Sequence, residues 1–454
     1  ITATSFTLSW SAPDSDGGAA ITDYKIEVSA DLGTTWTQIQ RATSTAVTYS
    51  VTGLLPGKAY RFRISATNSV GTGTASTVVS ATTSTTIPGK TKNLVAGSTT
   101  SSSVSLTWDA PDSDGGSAIT DYKIEYSLDG TSWTAVTRAA STATNYTVTS
   151  LLPGKSYQFR VTAINSVGLG TKSDTATTST STTFPGAPTS GTHSAITGSA
   201  LTLSWTAPDS DGGAAITDYK VEYSSDLGNT WTQIQRSAST LTSYSFTGLL
   251  PGKAYRFRVS AINSVGTGIA SALVSATTST TLASKPNALV LSEITFSSLV
   301  LSWDTPDSDG GASITDYKVE YSLDGVSWIT VTRSVSSSTS ATITGLLPGR
   351  SYSYRVSALN SVGYSPKSDT ATANTLTTIP STPKTPSSSS LTSSSFSIAW
   401  LAPDSDGGAA LTGYLVELSD DLGNSWVTLG ETSTSTRSFQ VQNLLPAKRY
   451  QFRM

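Results

Sequence analysis

The chain has 454 residues, a net charge of −3 and only 13% charged side chains. That balance provides no basic stripe for nucleic acid and no polybasic patch for a membrane surface. With no Cys and a single His, His193, the chain has no disulfides, no thiolate metal sites and no recurring imidazole site. No apolar run reaches the roughly 18 residues needed to cross a bilayer.

Along the chain, one pattern is written five times. In the first copy an alternating strand-like run ends at Trp10. It is followed by the turn Pro13-Asp14-Ser15-Asp16-Gly17-Gly18, a strand-like Tyr24-Lys25-Ile26-Glu27, a second Trp at 36, then Leu54-Leu55-Pro56-Gly57 and Tyr60. Trp108, Trp205, Trp303 and Trp400 open the later copies at steps of 98, 97, 98 and 97 residues. A repeat of about 97 residues is too long for a solenoid unit and suits a small domain with its own core. The expected units are 1–86, 87–183, 184–281, 282–378 and 379–454. Copy one has nine residues before its Trp, where copy two has about 20. Copy five stops at Met454, soon after its Tyr450. The first unit is therefore expected to lack its N-terminal strand and the last its C-terminal strands.

The copies also alternate. Copies one, three and five have a long loop before the second Trp (Asp31 to Trp36, Asp226 to Trp231, Asp421 to Trp426). Copies two and four have a short one (Asp129 to Trp133, Asp324 to Trp328). The period is therefore two units, either because contacts recur once per pair or as a relic of duplication.

Period-two alternation marks strands throughout. Tyr122, Ile124 and Tyr126 share one face, Lys123 and Glu125 the other, and Val104-Ser105-Leu106-Thr107-Trp108 repeats the pattern. Turn residues bound each run, and no useful helical spacing occurs. About seven short strands per copy predict two packed antiparallel sheets around an aromatic-rich core. Trp108, Pro111, Gly115-Gly116, Ile119, Tyr122 to Ser127, Leu152-Pro153-Gly154, Tyr157, Phe159-Arg160-Val161, Ala163, Asn165 and Gly168 together resemble the fibronectin type III domain. The resemblance covers essentially the whole chain, and the near-identity of the copies resembles bacterial extracellular or surface arrays. It implies an all-β, Ig-like sandwich in every unit. It also implies that Tyr60, Tyr157, Tyr255, Tyr352 and Tyr450 form the tyrosine corner. Copy five departs at Pro446-Ala447, in place of Pro-Gly, and at Leu415, in place of Lys.

Two recurring motifs are candidate sites. The Asp-Ser-Asp-Gly-Gly segments carry oxygen ligands suited to calcium at Asp14 and Asp16, Asp112 and Asp114, Asp209 and Asp211, Asp307 and Asp309, and Asp404 and Asp406. The distal bidentate carboxylate of a calcium loop is missing, and an Asp-capped turn with Gly at positive φ explains the same residues. The second Trp series (Trp36, Trp133, Trp231, Trp328, Trp426) offers flat platforms for sugars, or packing over each unit's own core. The outward Lys and Glu of the third strand (Lys25 and Glu27, Lys123 and Glu125) are placed to pair across strands or bind a neighbour, or else form a solvated face. Catalysis fails on inventory, because no Ser has a base to activate it. No cofactor is expected.

The expected function is structural and non-catalytic, that of a fibre, stalk or surface-layer segment at an extracellular or cell-surface location. Its partners would be other copies of itself or other surface proteins, with no nucleic acid and no membrane insertion. The alternative is an adhesin or a carbohydrate-binding spacer. The linkers Thr86-Ile87-Pro88-Gly89, Thr183-Phe184-Pro185-Gly186 and Thr378-Ile379-Pro380-Ser381 are short and stiffened by Pro. At Thr281-Leu282-Ala283-Ser284-Lys285-Pro286 the Pro comes later, and a different bend is expected there.

Overall fold

The computed structural model describes residues Ile1–Met454, and every regular element is a β-strand. Unit two shows the plan. Lys92–Thr99, Val104–Asp109 and Asn145–Val148 form one antiparallel sheet. Thr134–Ala135, Asp121–Ser127, Ser156–Ile164 and Ala176–Ser179 form the other. Unit four repeats the arrangement, and unit three does so with an added strand, Thr267–Ala270, on Ala254–Ile262. In unit one the first sheet is the pair Phe6–Ser9 and Thr48–Val51. In unit five Val427–Thr432 runs alongside Tyr414 to Leu418.

Alternation explains the layers. Val104, Leu106 and Trp108 project from one sheet, and Tyr122, Ile124, Phe159 and Val161 meet them from the other. Each unit closes around a cluster of this kind, and no cluster spans two units. The first Trp of units two to five is buried. It meets the edge of a Tyr at a centroid distance of 5.2 to 5.4 Å (Trp108 on Tyr122, Trp205 on Tyr219, Trp303 on Tyr317, Trp400 on Tyr414). The indole N–H of the first Trp has no hydrogen-bond acceptor in any unit.

The tyrosine corner is present five times. The Tyr157 hydroxyl accepts the Leu152 amide at 2.8 Å. Tyr60, Tyr255, Tyr352 and Tyr450 do the same for Leu55, Leu250, Leu347 and Leu445 at 2.9 to 3.0 Å. These bonds pin the Leu-Leu-Pro turn to the following strand. They fix the position of the next residue, Gly57, Gly154, Gly252 or Gly349, at φ of 62 to 64°. In unit five that residue is Ala447, held in the same left-handed conformation at φ 61°. This costs an L-residue about 1 kcal/mol.

Tyr354 occupies the place of Phe62, Phe159, Phe257 and Phe452. Its ring is fully buried and its hydroxyl has no partner. Burial holds the phenol well above the usual Tyr range. Tyr354→Phe removes an unsatisfied polar group without changing ring packing. We expect it to stabilise unit four by about 1 kcal/mol, read as slower proteolytic cleavage within residues 282–378. Faster cleavage would count against this account of the core.

Candidate functional site at the unit junctions

The recurring Asp-Ser-Asp-Gly-Gly turn lies at the leading end of each unit, against the trailing corner of the unit before it. Asp114 Oδ1 accepts the Gly116 amide at 2.8 Å, and Ser113 Oγ accepts the Gly115 amide at 3.1 Å. These caps hold both glycines at positive φ, 75° and 79°. The turn then receives the linker. The Thr86 amide donates to the Gly115 carbonyl at 2.8 Å, and the Gly89 amide to the Ser113 carbonyl at 2.9 Å. Asn165 Nδ2 donates both to the Thr86 carbonyl (2.8 Å) and to the Asp114 carbonyl (2.7 Å), tying linker to turn.

The contact between units is glycine on glycine. A β-carbon at Gly57 would lie 2.3 Å from the Gly116 carbonyl oxygen, and one at Gly116 would lie 2.4 Å from Pro56. A β-carbon at Gly115 would lie 2.0 Å from the Thr86 carbonyl oxygen. Only residues without side chains permit this approach. The residue before Pro adds apolar cover. A β-carbon at Gly168 would sit 3.9 Å from Ile87, and one at Gly266 would sit 2.9 Å from Phe184.

The same seam is made at all four junctions. Thr183, Thr281 and Thr378 donate to Gly212, Gly310 and Gly407, each at 2.8 Å. Asn263 and Asn360 repeat the double bond of Asn165. The Ala283 joint does not differ in these bonds: the Ser284 amide reaches the Ser308 carbonyl at 2.8 Å. Ala283 fills the place of Pro88 and Pro185. Ser365 stands there in place of Gly170 and Gly268, so a smaller linker residue meets a larger partner.

Each candidate calcium residue can now be placed. Asp16, Asp114, Asp211, Asp309 and Asp406 cap the second Gly of their own turn. Asp112 pairs with Lys92, Asp404 with Lys384, and Asp307 accepts from Asn287 at 3.1 Å. Asp14 and Asp209 are exposed. No three His, Cys, Asp or Glu side chains come together as a group that could hold a metal ion.

The second Trp series is half-buried, and an Arg covers one face of each indole. Arg63 lies 4.3 Å from the Trp36 centroid, Arg160 4.0 Å from Trp133, Arg258 4.1 Å from Trp231, Arg355 3.8 Å from Trp328 and Arg453 4.3 Å from Trp426. The Trp36, Trp133 and Trp231 N–H groups donate to Gly33, Gly130 and Gly228 carbonyls. The same Arg pairs with a Glu on the neighbouring strand, Arg160 to Glu125 at 2.8 Å. The solvated-face reading therefore fails for Glu: Glu27, Glu125, Glu222 and Glu320 are 5 to 8% exposed, roofed by Arg, Lys and Trp. Strand alternation gives the direction of a side chain but not what covers it. The outward Arg and the Trp at fixed spacing were the available signal.

A family model described as the fibronectin type III domain matches residues 1–82, 88–179, 186–277, 284–374 and 381–454. The chain belongs to the fibronectin type III family. Among its relatives, human Myomesin-2 is 26% identical over 98% of this chain and 33% of its own length. M-protein of striated muscle from Gallus gallus is 28% identical over 98% of this chain and 34% of its own. Drosophila melanogaster Titin is 27% identical over 91% of this chain and 2% of its own. The chain thus spans about a third or less of the length of these relatives. A crystal structure of chicken CNTN1 FN1-FN3 domains is 22% identical, covering 64% of this chain and 99% of that one, at a TM-score of 0.35. These relatives correct the expected location. Myomesin-2, Titin and M-protein are intracellular muscle proteins and point away from an extracellular or cell-surface setting.

Two outcomes follow from the fibronectin type III seam and its Trp–Arg–Glu clamp. Gly116→Ala places a methyl inside the first junction, whereas Gly18→Ala carries the same left-handed strain with nothing within 4 Å. Small-angle scattering should show a looser array for Gly116→Ala and an unchanged one for Gly18→Ala. Equal profiles would mean that the seam does not set the shape. Burial pushes the Glu125 carboxyl up, but hydrogen bonds from Arg160 and Lys123 outweigh it and hold the group below the ordinary range. A folded pKa below the unfolded one stabilises the ionised state. That stabilisation is complete above about 4.3 and is lost as pH falls through the folded value. Thermal midpoints should therefore hold steady from neutral pH to about 5 and fall below about 4. In Glu125→Gln, unit two should start lower and fall less steeply.

Proposed function

We propose that this segment is a non-catalytic structural rod, a series of self-contained β-sandwiches locked in fixed succession. The supporting observation is the recurrence of one seam, with hydrogen bonds of the same length, at four junctions in a row. A flexible tether would leave these linker amides to water. Here backbone bonds hold each linker to the next unit, an Asn adds to them at the first three junctions, and Gly-on-Gly contact leaves no room for a side chain to intervene. Relatives named for muscle proteins with similar domains support a load-bearing or spacing role.

The finer reading is self-association, or binding of other proteins, along the sides of the rod with a two-unit period. Leu32, Leu227 and Leu422 stand on the long-form loops of units one, three and five. They are 65 to 68% exposed and held at φ of 58 to 64°. The short-form units lack a residue at that point and expose Leu128 and Leu323 just before the loop Asp instead, so the position of the apolar point alternates from unit to unit.

Five units of about 35 Å each give a rod near 175 Å. Small-angle scattering of the 454-residue chain should yield a maximum dimension near that length. Electron micrographs at higher concentration should show laterally paired rods with a repeat near about 70 Å. A compact or broadly distributed particle would sink the rod. Rods that stay single at every concentration would sink the lateral contact alone.

A further inference from the structure

Large apolar side chains stand in the open where the units join. The residue after the linker Thr is Ile87, Phe184 or Leu282 in units two, three and four. One side of it rests on a Gly of its own unit. A β-carbon at Gly168, Gly266 or Gly363 would sit 3.9, 2.9 or 3.2 Å from it. Its other side is without a partner. These three residues are 43 to 55% exposed, while the next linker residue, Pro88, Pro185 or Ala283, is buried. Immediately before the same Gly stands Val167, Val265 or Val362, 40 to 48% exposed. Linker and loop thus form a small apolar ridge beside each of these seams. Other linker positions change character between copies: Gly89 becomes Ser284, and Lys90 becomes Ala187. At the ridge the copies exchange Ile, Phe and Leu and never a polar residue. A residue that only had to bridge two units could be Thr, like Thr85 and Thr86 before it.

Recurring exposed apolar points mark contact surfaces. We propose that a second copy of this chain docks on these ridges, junction against junction. The proposal rests on the lateral self-association read above and names its surface. Spacing selects the occupant. One ridge is too small to hold a partner alone, but contacts made along one rod reinforce each other. A partner that fills several ridges at once must carry apolar points at the same interval, and another copy does so by construction. Charge allows it: units one, two and three carry five, seven and five Lys and Arg, matched by five, seven and five Asp and Glu. Two such rods approach without net repulsion. Register follows from the residue after the ridge Gly. It is Leu169 in unit two and Tyr364 in unit four, both half-exposed, but Thr267 in unit three, where Ile269 projects two residues later. Chains paired in register, running either way, set like ridges together, with unit three against itself. A slip of one unit sets unlike ridges together, and a slip of two restores the match.

The test uses the whole chain. Sedimentation velocity over a range of concentrations should show pairs. The combined variant Ile87→Ser, Phe184→Ser and Leu282→Ser should raise the Kd for pairing at least about tenfold. None of the three residues belongs to a core cluster, so the units keep their fold. A second measurement leaves the ridge intact. The chain has no Cys, so one introduced thiol reports one place. Ser264 is exposed and lies next to Val265. With a short bismaleimide, Ser264→Cys should give a covalent dimer. Ser245→Cys, on the outer face of the three-stranded sheet, should not. Pairs that survive the triple change, a Ser264→Cys chain that fails to cross-link, or equal cross-linking of both thiol variants would overturn the ridge and leave lateral pairing standing. A chain that stays single at every concentration would remove lateral pairing altogether, and the ridge with it.

Discussion

The absence of two β-carbons sets the order of this molecule. Where Gly57 meets Gly116, backbone lies on backbone at distances no side chain allows. Everything near the junction serves that approach. The Tyr60 corner presents Gly57, Asp114 and Ser113 hold the opposing turn, and Asn165 fastens the linker. Apart from the capping carboxylate, the key bonds are short, local and uncharged. A joint of this kind has little sensitivity to salt, in contrast to one built from ion pairs.

The second recurring device lies within each unit. A Glu on the third strand, an Arg on the next strand and the second Trp form a stack on the outer face of the larger sheet. Cation–π contact adds about 0.5–2 kcal/mol where the cation is partly desolvated. A buried carboxylate is tolerable only because Arg and Lys both reach it. The stack lets a small sandwich bury aromatic area on both faces of one sheet. It also explains why a half-buried Trp recurs in every unit, with an Arg over one face.

Much of this was legible in the sequence. The repeat, the sandwich, the two Trp series and the Tyr corner follow from spacing and alternation, because these encode local geometry and a core within each copy. The junction was harder to see. Gly115 and Gly116 read correctly as a turn, but a turn motif does not say what stands opposite it. The cue was that the turn and the Leu-Leu-Pro corner both hold constant while other loops change length. Glu125 was misplaced for a related reason: its direction is set by its own strand, its burial by Arg160 and Trp133 from elsewhere in the chain.

Unit five is the exception. Its corner carries Ala447 where the other units carry Gly, in the same backbone conformation. At the four junctions that position admits nothing larger than hydrogen, since a β-carbon at Gly349 would lie 2.4 Å from the Gly408 carbonyl. Any neighbour seated on Ala447 would have to stand off by the width of a methyl group and forgo the tight stacking seen upstream. One extra carbon atom would thus turn a welded joint into a hinge, and the places where such an array bends could be marked simply by which corners end in alanine.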